Sequence, residues 1–235
     1  VIRLVLFDLD DTLFAHRQAV EEGVRAHRRA TGLGGDDRTE FARWNALEEE
    51  HYHRYLAGEI DFFEQRRERV RGFLGAHGVA VGDDDADAWF AAYLDHYRQA
   101  WSLHADALPL LEELDRRSIR TGIITNGDLG FQTAKLMGLG LDGRFEHVIA
   151  SGELGVAKPD ARIFEHACAL YGVPPSEALY VGDRLGTDAI GAHDAGLTGV
   201  WLARGGTDES QRLAARAAGV HVIGTLAELS PLCHP

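Results

Sequence analysis

Asp8 and Asp10, with Asp11 and Thr12 beside them, follow directly on Leu4-Val5-Leu6-Phe7. The apolar run reads as a parallel strand buried on both faces. Acids spilling from its C-terminal end fall at the rim of a sheet, where open α/β folds bind ligands. Two carboxylates that close repel each other unless a cation or a shared proton relieves them. A divalent ion suits the place, because Mg²⁺ prefers oxygen ligands and often binds through one or two carboxylates plus a substrate phosphate. The same residues also admit a plainer reading, in which an acidic turn follows the strand and Asp11 or Thr12 caps a helix.

Three further stretches place polar chemistry at strand ends. Thr125 and Asn126 close the run Arg120 to Thr125, Asp183 follows Leu179 to Val181, and Lys158 stands in Val156-Ala157-Lys158-Pro159-Asp160 just before a helix. Parallel strands joined by helical crossovers bring such ends to one edge. Of 24 basic residues only Lys135 and Lys158 are lysine. In a chain that otherwise uses arginine, a lysine at a turn points to a need for a compact charge.

The elements that must position these residues separate into two patterns. His16 to Thr31 has helical spacing, and Asp37 or Thr39 can cap a second helix reaching Leu56. Asp61 with Glu64 opens a third helix towards Leu74. The cluster Asp83 to Asp87 caps a fourth, striped by Trp89, Phe90, Tyr93, Leu94 and Tyr97. Four helices with no strand between them read as an inserted four-helix-type unit over residues 15–103, with aromatic stripes as its core. His51 and His53 are two apart and read as surface residues on different sides of a helix. From Leu108 strands and helices alternate, the βαβ pattern. The fold class is therefore α/β, a doubly wound parallel-sheet (Rossmann-like) core made of residues 1–14 and 104–235.

Thirty-seven acids against 24 bases leave a formal charge of −13. That disfavours electrostatic capture of nucleic acid or of an anionic membrane. It leaves room for a small phosphorylated metabolite, since a local site can be positive in a negative protein. Cys168 and Cys233 lack any metal-type or redox spacing. Cys168 reads as helix core and Cys233 as a loose tail, in keeping with a reducing cytoplasm. Apolar runs fall short of the roughly 18 to 20 residues of a membrane span, and the chain meets Asp8 too early for a signal peptide. Oligomeric state is not legible.

Taken together, Asp8-Leu9-Asp10-Asp11-Thr12, Thr125-Asn126-Gly127, Lys158-Pro159, and Gly182-Asp183 with Asp188 five residues on resemble the four ordered motifs of the haloacid dehalogenase superfamily. The inserted helices resemble its helical cap. The finer likeness, carried by Ile124 to Asp128 and Ser151-Gly152-Glu153, is to the nucleotidase and N-acylneuraminate-phosphatase branch. The resemblance implies that Asp8 is a nucleophile and Asp10 a general acid/base. It implies that Thr125 and the Asn126 amide hold phosphoryl oxygens while Lys158 neutralises charge. It also implies a Mg²⁺ site built from Asp8, the Asp10 backbone carbonyl and Asp183, with Asp188 and Thr12 in support.

These roles suit phosphate-ester hydrolysis, which proceeds so slowly unaided that catalysis must supply up to about 10²¹-fold. A covalent aspartyl phosphate divides the reaction into two steps. Rival readings share parts of the pattern. A phosphomutase has the same motifs. A haloacid dehalogenase needs no acid at Asp10. A phosphoacceptor signalling module needs no helical insertion. Phe14, His16, Trp44 and Arg67 are the candidate specificity residues.

Overall fold

β1 (Leu4–Phe7) lies in the middle of a six-stranded sheet, and all four of its side chains are fully buried. The computed structural model describes residues 1–233. After β1 come four helices, α1 (His16–Thr31), α2 (Asp37–Leu56), α3 (Phe62–Gly75) and α4 (Asp83–Gln99). Helix α5 (Ala107–Arg116) then leads to β2 (Arg120–Thr125), α6 (Leu129–Gly138), β3 (Val148–Ala150), the single turn α7 (Ser151–Leu154) and α8 (Ala161–Tyr171). The chain ends with β4 (Ala178–Gly182), a π-helical turn at Leu185–Ile190 running into α9 (Gly191–Asp194), β5 (Thr198–Leu202), α10 (Glu209–Ala217), β6 (His221–Ile223) and a 3₁₀ segment at Leu226–Cys233. Two compact units result: Val1–Ala15 with the chain from Ser102 onward, and His16–Trp101.

In the first unit the strand order is β3-β2-β1-β4-β5-β6, with every neighbouring pair parallel. This is the doubly wound order, which reverses direction between β1 and β4. The reversal splays the connections apart and opens a crevice at the strands' C-terminal ends. The register Phe7↔Val181 puts the residues that follow β1 and β4 side by side at that crevice. The apolar runs form strands because both faces are covered. Phe164, Ala167, Cys168 and Tyr171 of α8 pack with Leu4, Leu6, Ile124 and Tyr180 of the sheet in one buried cluster. Asp160 starts that helix by accepting from the Arg162 amide, as its sequence position suggests.

In the second unit Trp44 is fully buried and packs against Phe73, Tyr93 and Trp89, with ring centroids at 5.3, 4.7 and 5.4 Å. Phe90, Tyr93 and Tyr97 of α4 are buried with them and form core, whereas Phe41, Tyr52 and Tyr55 of α2 and Phe62 of α3 are only partly buried and Phe63 is exposed. Helices α1 and α4 approach closely at Gly23, where a Cβ would come within 2.9 Å of Tyr97 Cα.

Several local expectations need correction. The cap of α2 is Asp36, accepting from the Thr39 amide, rather than Asp37 or Thr39. Gly82 precedes α4, and Asp83, Asp84 and Asp85 lie in its first turn without capping it, where they still oppose the helix dipole. His51 is buried rather than a surface residue, beside Arg54 at 3.3 Å. Cys233 belongs to no loose tail: it is buried in the 3₁₀ segment, which Arg117 Nη2 fastens by donating to its carbonyl at 3.0 Å. A short helix, α7, also intervenes between β3 and the Lys158 loop. Among the described residues no helix is long and apolar enough to cross a membrane.

His27 of α1 is 3% exposed, stacks edge-on against Trp89 at 4.4 Å and faces His96 at 5.5 Å. Burial, helped by His96, lowers its pKa from 6.5 to about 4. Between those values the unfolded chain binds the proton that the fold refuses. The contribution is therefore intact above about pH 6.5 and is lost as pH falls towards 4. At ~1.4 kcal/mol per pKa unit the loss is on the order of 3–4 kcal/mol at most. His27→Leu should leave the thermal midpoint nearly unchanged at pH 7.5 and raise it relative to the parent at pH 4.5, as read by calorimetry at both values.

Candidate active site

Asp8 leaves β1 at the crevice, nearly buried, and its amide still donates to Val181 of β4 at 2.9 Å. From Leu9 to Phe14 the chain curls tightly: the amides of Thr12, Leu13 and Phe14 all donate to Leu9 O, at 3.4, 3.1 and 3.0 Å. Asp11 adopts a positive φ of 59° in this curl. Thr12 caps no helix here; its hydroxyl lies 3.4 Å from Asp8 Oδ2. Arg204, just past β5, donates to Thr12 O at 3.0 Å and grips both Asp106 oxygens at 2.8 Å, anchoring the curl from below.

Lys158 reaches the same place from the loop after α7. Its Nζ donates to Asp8 Oδ1 at 2.7 Å, Asp188 Oδ1 at 2.8 Å and Tyr180 Oη at 2.7 Å. Three N–H groups thus meet three acceptors. Burial alone would lower this lysine's pKa, but the carboxylates of Asp188 and Asp8 more than offset it and leave it raised. The Lys158 backbone is fixed separately. Asn126 Nδ2 donates to Lys158 O at 3.0 Å while Asn126 Oδ1 accepts from Lys158 N at 2.8 Å. The Asn126 side chain therefore joins two of the sequence motifs.

The turn after β2 is clasped by α7. Gly127 N donates to Ser151 Oγ and Gly152 N donates to Gly127 O, both at 2.9 Å. A Cβ on Gly152 would sit 2.8 Å from Gly127 O, so only glycine allows this approach. Thr125 is buried, with Oγ1 accepting from Gln132 Nε2 at 2.8 Å.

Asp183 follows β4, and Asp188 returns from the π-helical turn to lie over Gly182, where any Cβ would collide with the Asp188 carboxylate at 2.4 Å. One oxygen from each of Asp8, Asp183 and Asp188 lies within 4.8 Å of the others. Burial, then Asp8 and Asp188, raise the Asp183 pKa. Burial raises that of Asp8 too, with Asp188 and Asp10 adding to it and Lys158 opposing. Both oxygens of Asp188 are already engaged, Oδ1 by Lys158 and Oδ2 by the Arg184 amide at 2.9 Å. Asp188 therefore sits with the cluster as its brace.

Thus Asp8, Thr12, Lys158, Asp183 and Asp188 gather at the crevice, and Thr125 and Asn126 join them through the turn after β2. The Asp10 carboxylate turns towards α6 instead, where Lys135 Nζ holds its two oxygens at 2.7 and 2.8 Å. Lys135, Gln132, Tyr180 and Ser151 were not singled out from the sequence as site residues. Lys135 left one trace there, as the only other lysine in the chain. Of the specificity candidates, Phe14 and Trp44 are fully buried packing residues and Arg67 is tied to Asp87 at 2.9 and 2.6 Å. His16 Nδ1 lies 2.9 Å from Tyr97 Oη.

This arrangement matches known proteins along the chain. A glyceraldehyde 3-phosphate phosphatase of Methanopyrus kandleri is 34% identical over 212 residues, covering 87% of this chain and 85% of that protein. A ribulose-1,5-bisphosphate 5-phosphatase of Halopiger xanaduensis is 34% identical over 234 residues, covering 97% and 98%. The magnesium-bound crystal structure of the putative HAD-hydrolase YfnB from Bacillus subtilis shares the fold with a TM-score of 0.78 at 21% identity, covering 100% of this chain and 99% of that one. The family model for haloacid dehalogenase-like hydrolases matches residues 2–196, and the chain belongs to that family of enzymes.

Proposed function

We propose that the protein is a Mg²⁺-dependent phosphatase that hydrolyses a small phosphorylated metabolite through an aspartyl phosphate on Asp8. The observation that carries this reading is the pair of carboxylates at the end of β1, each held by its own buried lysine: Asp8 by Lys158 at 2.7 Å and Asp10 by Lys135 at 2.7 Å. One carboxylate can serve as nucleophile and the other as proton carrier. A displacement at carbon would need only the first. The phosphatase relatives support the choice of phosphate, and what their different substrates share is the class of small phosphomonoester.

In the first step an Asp8 oxygen attacks phosphorus, the bond from phosphorus to the ester oxygen breaks, and the leaving oxygen takes the Asp10 proton. In the second, Asp10 accepts a proton from water as the water oxygen bonds to phosphorus. The bond from phosphorus to Asp8 then breaks, and phosphate leaves with the Asp8 carboxylate restored. Lys158 stays against Asp8 throughout and offsets charge on the transferring group. Thr125 and the Asn126 amide orient the phosphoryl oxygens.

The acids fit a hard cation. Burial, with like charge crowded beside them, raises the pKa of both Asp8 and Asp183, so that each resists ionisation. Oxygen donors at this spacing suit Mg²⁺. Asp8, Asp183 and the Asp10 carbonyl would hold the ion, with Asp188 as brace. Bound there, Mg²⁺ supplies electrostatic stabilisation of the phosphoryl group. We assign the helical unit, His16–Trp101, to substrate selection, and place the enzyme in the cytoplasm, where the free thiols of Cys168 and Cys233 would stay reduced.

The raised pKa values of Asp8 and Asp183 mean that the metal-free fold binds more protons than the unfolded chain above about pH 4. These groups therefore cost stability as pH rises through their folded values. Mg²⁺ should raise the thermal midpoint more at pH 8 than at pH 5. Asp183→Asn should stabilise the metal-free protein at pH 8 and shrink the Mg²⁺ shift, as measured by thermal unfolding with and without chelator. Phosphate release across a panel of sugar phosphates and aryl phosphates should vanish with chelator and return with Mg²⁺ before Ca²⁺. Asp8→Asn should lower kcat at least about a hundredfold, about 2.7 kcal/mol in the barrier, with an unchanged circular-dichroism spectrum. Metal-independent phosphate release, or activity surviving in Asp8→Asn, would overturn the proposal.

A further inference from the structure

Lys135 occupies an improbable place for a lysine. It lies on the inward face of α6 with Gln132 and Leu136, positions that are normally apolar, and its side chain is 3% exposed. A buried ammonium needs a partner, and here the partner is the carboxylate of Asp10, 125 residues away in sequence. Nζ lies 2.7 Å from Oδ1 and 2.8 Å from Oδ2, so one ammonium spans both oxygens. The rings of Phe14 and Phe131 stand 5.2 and 5.1 Å from Nζ, which favours the cation where it is. One turn earlier, Gln132 Nε2 lies 3.5 Å from Asp10 Oδ2 and 2.8 Å from Thr125 Oγ1.

Asp10 is the more exposed member of the pair. Its side chain is 30% exposed, and it sits in a curl beside the positive-φ residue Asp11. A carboxyl there can rotate among staggered wells, and proton transfer needs its oxygen within about 2.6–3.2 Å of the reacting oxygen. Residues of α6 restrict that rotation. The Gln132–Lys135 pair, fixed on a rigid helix capped by Asp128, reaches both Asp10 and Thr125 from one face.

We propose that Lys135, assisted by Gln132, is a positioning residue for Asp10, setting the direction from which its carboxyl exchanges a proton with the leaving oxygen and with water. This rests on the phosphatase reading above. Lys135 would make no contact with phosphate; it acts through Asp10. Simple stabilisation of the fold by a buried ion pair is the competing account, and the two differ in what they do to the leaving group.

The test uses the Mg²⁺-loaded full chain and a series of substituted phenyl phosphates, from p-nitrophenyl to p-methoxyphenyl. Phosphoenzyme formation and breakdown are followed by rapid quench. In Lys135→Met, formation should slow about 10- to 100-fold with the poor leaving groups and within about threefold with p-nitrophenyl phosphate, so that the dependence on leaving-group basicity steepens. Breakdown should slow equally for all substrates, KM should hold within about threefold, and Lys135→Arg should recover most of the rate. The double variant Asp10→Asn/Lys135→Met should be no slower than Asp10→Asn alone. A uniform rate loss across the series, or a further loss in the double variant, would overturn the proposal and leave the phosphatase reading standing. Failure of the phosphatase reading shows differently, as a wild-type protein releasing no phosphate or an Asp10→Asn variant with wild-type kinetics. In that case a crystal structure of Lys135→Met decides: the Asp10 carboxylate should have left its observed position, and finding it in place overturns the proposal. If Lys135→Met lacks a cooperative thermal transition, Lys135→Gln carries the same measurements with the same expected and contrary results.

Discussion

A single buried ammonium holds the candidate site together. Lys158 Nζ has three protons and three acceptors, on Asp8, Asp188 and Tyr180. Each acceptor comes from a different part of the chain. Asp8 ends β1, Tyr180 is in the middle of β4 and Asp188 returns from the π-helical turn. Removing one member of a buried charge pair typically costs about 3–5 kcal/mol, because the other is left unpaired. The sheet register, the glycine at 182 and the Asn126 clasp on the Lys158 backbone all serve to let that contact form. Even so, one ammonium does not balance three acids, and the proposed cation completes the charge.

The chain divides its cations by task. Arginines make most of the ion pairs around its periphery, as in Arg120 with Glu146 at 2.6 Å and Arg67 with Asp87 at 2.6 Å. There the planar fork suits carboxylates while part of the side chain stays wet. Exposed pairs of this kind contribute little each, about 0–1 kcal/mol. Both lysines are buried, as are Arg28 and Arg69 of the helical unit, and at the crevice a compact ammonium can satisfy several oxygens at once. Each lysine ends on an aspartate from the curl after β1. Such burial is a poor way to gain stability, since apolar packing often does better. Its occurrence twice at one strand end is what a site, rather than a core, requires.

Sequence patterning made the sheet legible because its central strands are covered on both faces. Leu4 to Phe7 and Ala178 to Gly182 are uninterrupted buried runs. Acids at the ends of such runs stand out for the same reason. What escaped notice depends on long-range partners. In the sequence Lys135 is a cation in the last turn of a helix, an ordinary surface position, and only its meeting with Asp10 makes it unusual. Tyr180 reads as strand core, and it is core, but its hydroxyl carries Lys158. His51 and Cys233 were misplaced because burial there comes from tertiary packing rather than from local pattern. The cap of α2 fell on Asp36, one residue before the nearer candidate, Asp37, because Asp36 has the extended backbone a cap needs.

The residues at the crevice are largely occupied with one another, and this bears on substrate choice. Asn126 spends its side chain on Lys158, Ser151 on Gly127, Gln132 on Thr125 and Arg204 on Asp106. A network so committed can recognise a phosphoryl group, which is the same in every monoester, but offers little to tell one carbon skeleton from another. Discrimination must then come from residues that the chemistry leaves unconstrained. In the helical unit the aromatic centre is also committed, since Trp44 and Phe73 are fully buried. His16 and Glu48, half-buried beside that centre, are committed too: His16 Nδ1 lies 2.9 Å from Tyr97 Oη, and Glu48 pairs at 2.8 Å with Arg69, whose guanidinium lies over Trp44, so a change at either reaches the aromatic core.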